Sequence, residues 1–239
     1  MFYCLDELIA TYHLEPPFLD VGCGTGDLSK YVAARGWKGK AVDSSDMAIA
    51  SASDGLRGFP GVVVERSCLG DVRGSYGTIF LWDVLEHIED DKAALLKVSQ
   101  LLSTSGHLLA SVPSNPREWR WDDRLYGHCR RYTANDITTK LSKAGLEVVV
   151  LWDFTYPFFW MIRRVYTKLK RAPSTCQMSK EALSRASCRV NLWNVPGLSR
   201  FLDSFVILWR PLCKLQFRFF RKNTAWGHEM FVLARRRYK

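Results

Sequence analysis

The sequence predicts an α/β fold with a doubly wound, mostly parallel sheet. Three observations lead there. Short apolar runs alternate with helical patterns over the first two-thirds of the chain. Three glycines at alternate positions, in "FLDVGCGTGDLS" (18–29), follow the first run and open a helix. An acid, Asp43, closes the second run.

The elements follow in order. "PPFLDVG" (16–22) reads as a buried strand, and "DLSKYVAARG" (27–36) as a helix stopped by Gly36. "GKAVD" (39–43) is a second strand, and "SDMAIASAS" (45–53) a helix capped by Ser45 or Asp46. "GVVVE" (61–65) and "GTIFLWDV" (77–84) are strands. "DDKAALLKVSQLLSTSG" (90–106) has the apolar spacing of an amphipathic helix, and "GHLLASVPS" (106–114) of a strand. "TANDITTKLSKAG" (133–145) opens on a capping box variant, Thr133 with Asp136, and ends at Gly145. "LEVVVLWDF" (146–154) and "EMFVLARR" (229–236) are the last two strands. Between them, 157–171 and 197–212 carry amphipathic helical patterns. The expected organisation is a core of 1–156 and 223–239 interrupted by a basic helical insertion, 157–222.

Composition narrows the class. No run of eighteen apolar residues predicts a spanning helix, and the start lacks the basic and apolar regions of a signal peptide. The seven cysteines form no CxxC pair, and no histidine stands at metal-ligand spacing from a cysteine. Reduced thiols, a cytoplasmic setting and no metal are therefore expected. Charge is unevenly placed. Residues 1–156 hold 16 Lys+Arg against 21 Asp+Glu, whereas 157–239 hold 18 against 3, with fourteen aromatics. A basic, aromatic segment fits an anionic partner, such as a membrane surface.

Glycines permit positive φ and close approach of a ligand to the backbone. The turn lacks the third glycine of a dinucleotide fingerprint, since Asp27 stands there, and no GK[ST] follows for a phosphate loop. An acid after the turn suits a cationic ligand.

"FLDVGCGTGDLS" with "AVD", "LWDVLEHIEDD" and "GHLLASVPSNP" resembles the class I S-adenosylmethionine-dependent methyltransferases. More narrowly, the chain is similar to the ubiquinone- and menaquinone-biosynthesis methyltransferases, and "YGHCRRYT" (126–133) resembles a segment of their bacterial members. The resemblance implies a Rossmann-like sheet with an antiparallel last strand. It implies S-adenosylmethionine as cofactor, with Asp20, Gly22, Gly24 and Gly26 around its methionine part and Asp43 on its ribose. Ser44 and Met47 would lie beside the nucleoside, Cys68 and Leu69 at adenine, and Trp82 and Asp83 at the methionine end. Two departures stand out: "SCLGD" leaves Asp71 as the only nearby acid at the adenine position, and "YGT" (76–78) lacks the usual aspartate before the fourth strand.

Methyl transfer to oxygen, carbon or sulfur needs alignment and removal of a proton. His87 and His128 are the candidate bases, with Tyr126 beside them. Asn115, Trp119, Trp121, Arg130 and Arg131, in the long loop 114–133, are candidates for holding the acceptor. A small-molecule or lipid-like acceptor is expected. The absence of a [DNS]-P-P-[YF] motif disfavours a nucleobase or amide acceptor. The alternatives are an RNA or protein methyltransferase using the basic segment, and a non-catalytic cofactor-binding module.

Overall fold

A computed structural model describes residues 2–170 and 211–237. Seven strands form one sheet: β1 (Phe18–Val21), β2 (Gly39–Asp43), β3 (Val62–Arg66), β4 (Tyr76–Trp82), β5 (Leu102–Pro113), β6 (Leu146–Asp153) and β7 (Glu229–Arg236). Their order is β3-β2-β1-β4-β5-β7-β6. The first five run parallel, with Asp20 between Ala41 and Phe80 in register. β7 runs antiparallel to β5 and to β6, with Val232 between Ala110 and Leu151.

Helices cover both faces: α1 (Phe2–Tyr12), α2 (Asp27–Ala33), α3 (Asp46–Gly55), α4 (Asp91–Leu101), α5 (Trp121–Leu125), α6 (Ala134–Lys143) and α7 (Phe158–Leu169). Residues 211–220 are also helical. Successive strand residues point to opposite faces, so Ile79 and Leu81 enter one core with Leu95, Val98, Ile137 and Leu141. Phe80 enters the other, with Leu5, Leu8, Val32, Phe217 and Phe231. The chain reverses direction across the sheet between β1 and β4, where open α/β sheets bind their ligands. The turns after β1 and β4 therefore meet at one rim.

Most of the expected elements match. Ser45 is the cap of α3, accepting from Ala48 N, and Thr133 caps α6 by accepting from Asp136 N. Three differences have physical causes. No element is expected over 1–15, yet α1 forms because Cys4, Leu5 and Leu8 bury one helical stripe against the second core. The helix expected to reach 106 stops at Leu101, because Leu102 pairs with Tyr76 and starts β5. The loop 114–133 contains α5, whose first turn is closed by Arg120 N donating to Asp123 Oδ2 at 2.7 Å. Of the insertion, α7 and 211–222 are described. The helix expected over 197–212 lies, apart from its last two residues, outside the described residues.

Candidate active site

The glycine turn is built by backbone geometry. Gly22, Gly24 and Gly26 all take positive φ, at 66, 54 and 80°. Each serves a different need. A Cβ on Gly22 would stand 2.7 Å from Val84 Cγ2, and one on Gly26 would press on Ala52 and Leu56. At Gly24 a Cβ would meet nothing within 4 Å, so this residue faces open space at the mouth of the turn. A ligand could lie directly against the backbone there.

Asp43 sits across this space. Its Oδ2 accepts from Gly24 N at 3.0 Å and its Oδ1 from Ser45 N at 2.8 Å. A carboxylate has about four lone-pair sites, so two remain for a pair of ligand hydroxyls. Asp20 is buried beneath the turn, and Ser29 Oγ donates to its Oδ2 at 2.6 Å. Burial pushes its carboxyl up to about 7, against a smaller lowering by Ser29.

The other expected cofactor contacts are spread around the same rim. Met47 is half-buried on the first turn of α3, and Ser44 is exposed, its carbonyl accepting from Arg66 Nε. Cys68 is exposed, and Asp71 N donates to its carbonyl, making a tight turn with Asp71 exposed beside it. Leu69 packs part of its side chain on the first core. Trp82 is half-buried, its ring 5.0 Å from Phe231. Asp83, with φ 53°, accepts from Ser111 Oγ and turns toward a cavity next to the glycine rim.

That cavity holds about 680 Å³. One wall is the turn after β4, with Asp83, Glu86 and His87; another is α5 and the residues after it, with Asp122, Asp123, Tyr126, His128 and Arg131. α7 closes it with Phe159, Ile162, Arg163 and Tyr166, and His228 and Glu229 come from the start of β7. The two histidine rings, 41 residues apart in sequence, have centroids 5.0 Å apart.

Charged pairs hold this end together. His128 Nδ1 lies 3.0 Å from Asp123 Oδ1, which also accepts from Arg131 Nε at 2.8 Å. Arg163 reaches both oxygens of Asp122 and Oδ2 of Asp123. Against the effect of burial, His128, Arg131 and the Arg120 N–H hold the Asp123 carboxyl well below the usual carboxylate range. His87 Nδ1 stands 3.3 Å from Gly127 O, and desolvation, with His128 close by, lowers its pKa. Burial and the charge of Asp83 push Glu86 and Glu229 well above the usual range. Burial, with Arg163 and Arg131, drops His228 to about 3, and burial raises Tyr126 to about 12.

The expected catalytic residues His87, Tyr126 and His128 all line the cavity, as does Arg131 of the expected acceptor residues. The other acceptor candidates have different partners. Arg130 pairs with Asp91 at 2.8 Å and donates to Glu89 O. Asn115 accepts from Arg117 N and donates to Ala225 O. Trp121 Nε1 donates to Thr167 O at 2.9 Å, fastening α5 to α7, and Trp119 is half-buried outside the cavity lining. Sequence reasoning missed Asp123, Arg163, His228 and Glu229 as cavity residues. The adjacent acids in "WDDR" and the "HE" before the last strand were the available signals.

Comparison with known proteins agrees with this geometry. A family model described as a methyltransferase domain matches residues 5–151, and the chain belongs to that family. It is a class I S-adenosylmethionine-dependent methyltransferase domain, and S-adenosylmethionine is its cofactor. The chain is 27% identical over 167 residues to ubiquinone biosynthesis O-methyltransferase from Marinobacter nauticus. That match covers 58% of this chain and 66% of the relative, so the chain spans just under two thirds of that protein. Its fold resembles that of the [4+2]-cyclase SpnF, with TM-score 0.62 and 17% identity over 99% of this chain and 81% of that one. It also resembles magnesium protoporphyrin IX methyltransferase from Synechocystis PCC 6803 with bound SAH, with TM-score 0.53 and 21% identity, covering 66% of this chain and 76% of that one.

The residues present fit the cofactor. The open face of Gly24 and the free lone pairs of Asp43 can take the ribose side. Asp83, at the cavity, can face the cationic methionine end.

Proposed function

We propose that this chain transfers a methyl group from S-adenosylmethionine to an oxygen of a small, lipid-like acceptor bound in the cavity between α5 and α7. The observation that carries the reading is His128, held by Asp123 in a cavity that is also lined by Asp83, the neighbour of the Val84 that packs on Gly22 of the glycine turn. With Nδ1–H donated to Asp123, the Nε2 lone pair is free, and a neutral imidazole can take the acceptor's proton. S-adenosylmethionine, held with Asp43 at its ribose and Asp83 at its methionine end, would supply an electrophilic methyl group, and His128 would take the proton that the acceptor oxygen gives up. Tyr126, its phenol raised to about 12, stays protonated and can donate to the acceptor.

α7 acts as a lid. Phe159, Ile162 and Tyr166 give the cavity an apolar wall suited to a hydrocarbon or aromatic acceptor. A neighbouring stripe exposes Met161, Val165 and Leu169, and on the helical residues 211–220 Leu212, Leu215 and Phe219 are exposed among Lys214, Arg218 and, just beyond, Lys222. Apolar side chains interspersed with basic ones suit the surface of an anionic membrane, from which a lipid-like acceptor could enter. No described helix is long and apolar enough to cross a membrane.

The test is a methyl-transfer screen with radiolabelled cofactor over phenols, quinone precursors, thiols and fatty acids. Phenolic or quinol acceptors should be methylated, and His128→Ala should lower turnover roughly 10²-fold. Exclusive transfer to thiols or to RNA would overturn the reading.

A further inference from the structure

We infer that Asp83 and Glu229 form a charge-sensing pair, which keeps a shared proton beside a neutral ligand and gives it up to solvent when the sulfonium of S-adenosylmethionine is bound. The pair thereby favours the charged cofactor over its uncharged product.

The fold builds the pair from three strands at one rim. Asp83 follows β4, Glu229 opens β7, and β5 lies between these strands. β7 is antiparallel to β5, so its first residue stands opposite Pro113, where β5 ends. Ser111 of β5 clamps Asp83 twice, its Oγ donating to Oδ1 and accepting from Asp83 N at 3.0 Å. The Asp83 carboxyl is also hydrogen-bonded to that of Glu229. Such a bond requires a proton on one of the two acids. Val84, the next residue, stands against Gly22 of the glycine turn. The pair therefore lies where the cofactor half of the site meets the cavity, which both acids line.

Charge shows what the pair can answer to. Asp83, Glu86, Asp122, Asp123 and Glu229 line the cavity against two guanidiniums, Arg131 and Arg163. Arg163 is spent on Asp122 and Asp123, and Arg131 on Asp123 and the carbonyls of Ser114 and His228. Glu86 supplies the independent sign. Its side chain is fully buried in the cavity wall, yet neither carboxylate oxygen has a hydrogen-bond partner among the described residues. A buried carboxyl is unfavourable unless a proton or a cation satisfies it. With the guanidiniums engaged elsewhere, the cation has to come with a ligand, and a sulfonium is one whose charge is fixed. A positive charge beside the pair disfavours its proton, and a thioether does not. The groups that face Glu229 are Asp83 and Glu86, which favour the proton, and Arg131, which opposes it. His128 Nε2 stands 3.9 Å from Glu86 Oε1, with His87 against His128.

The inference concerns the cofactor and is separate from the acceptor's identity. The experiment is calorimetric binding of S-adenosylmethionine and of S-adenosylhomocysteine to the full chain at pH 7, without acceptor, in phosphate and in Tris. The dependence of the heat on buffer counts the protons released. The sulfonium cannot titrate, and each ligand's amino group contributes alike in wild type and variants. Wild type should release about one proton more with S-adenosylmethionine than with S-adenosylhomocysteine. Glu229→Gln should abolish that excess. It should weaken S-adenosylmethionine roughly tenfold while S-adenosylhomocysteine stays within about twofold, which also reports an intact fold. Asp83→Asn should lose the excess as well, and decides if Glu229→Gln fails to fold. Equal proton release with both ligands in wild type overturns the inference and needs no variant. An excess that survives in Glu229→Gln overturns it too. So does an equal loss of affinity for both ligands, which would make Glu229 a structural residue. Failure of both ligands to bind would strike the cofactor assignment, and the inference with it.

Discussion

The cofactor end and the acceptor end of the site are made by opposite means. At the glycine turn, backbone groups do most of the holding: positive-φ glycines and the N–H groups of Gly24 and Ser45 on Asp43. The contacts span few residues, or one β-α-β step. At the acceptor end, side-chain charges far apart in sequence do the holding. Arg163 crosses from α7 to Asp122 and Asp123 on α5, and Arg164 pairs with Glu118 across 46 residues. Backbone geometry specifies one invariant ligand. A charge network between a helix and a loop can be re-cut for another acceptor without disturbing the sheet. The two ends should therefore fail separately when mutated.

The largest effect should come from cutting the acceptor end. Arg163 and Asp123 form a mostly buried ion pair, with side-chain exposures of 12% and 0%. Arg163→Ala strips Asp122 of the guanidinium on both its oxygens and Asp123 of one of its donors, and breaking such a buried pair costs about 3–5 kcal/mol. Chemical denaturation should show that loss. If the ends are independent, affinity for S-adenosylhomocysteine stays within about twofold; a parallel collapse of cofactor binding would show that they are one cooperative unit.

Next is the pH response of the cofactor end. Asp20 has its carboxyl raised from 3.8 to about 7 by burial. Between roughly pH 4 and 7 the native state then holds a proton that the unfolded chain has lost. Stability contributed there falls as pH rises, with a full span on the order of 4 kcal/mol. Asp20→Asn keeps a partner for Ser29 and removes the titration. Melting curves across that range should be flatter for the variant than for the wild type. Identical slopes in both proteins would remove Asp20 from the account.

The smallest effect on stability, and the sharpest on location, belongs to the outer stripe of α7. Val165→Ser and Leu169→Ser change exposed positions and should alter stability by no more than about 0.5 kcal/mol. They should nonetheless reduce co-sedimentation with anionic vesicles at low salt. Wild-type protein that ignores such vesicles would confine α7 to its role as a cavity wall.

The same contrast explains what could be read from the sequence. The strands, the glycine turn and Asp43 were legible because each depends on local pattern: β-branched runs, positive φ, a cap at Ser45 or Thr133. His87 and His128 were legible as individuals but not as a pair, since their meeting depends on the loop 114–133 folding back onto the turn after β4. There Cys129 N donates to Glu86 O at 2.8 Å. The roles of Asp123 and Arg163 were illegible for the same reason, being defined by each other across 40 residues. Arg130 and Asn115 look like ligand groups in a loop sequence, and only the fold shows Arg130 on Asp91 and Asn115 on Ala225 O. α1 escaped notice because a stripe as short as Cys4, Leu5 and Leu8 means little until the sheet face it covers is known.

The division of labour between the two ends is tested most directly by titrating S-adenosylhomocysteine into three proteins: wild type, Asp43→Ala and His128→Ala. Asp43→Ala should weaken binding by roughly 1.5–3 kcal/mol, the contribution of hydrogen bonds to a charged group. His128→Ala should match the wild type within about twofold, since its imidazole serves the acceptor cavity. Equal losses in both variants, or tight binding that ignores Asp43, would contradict the account.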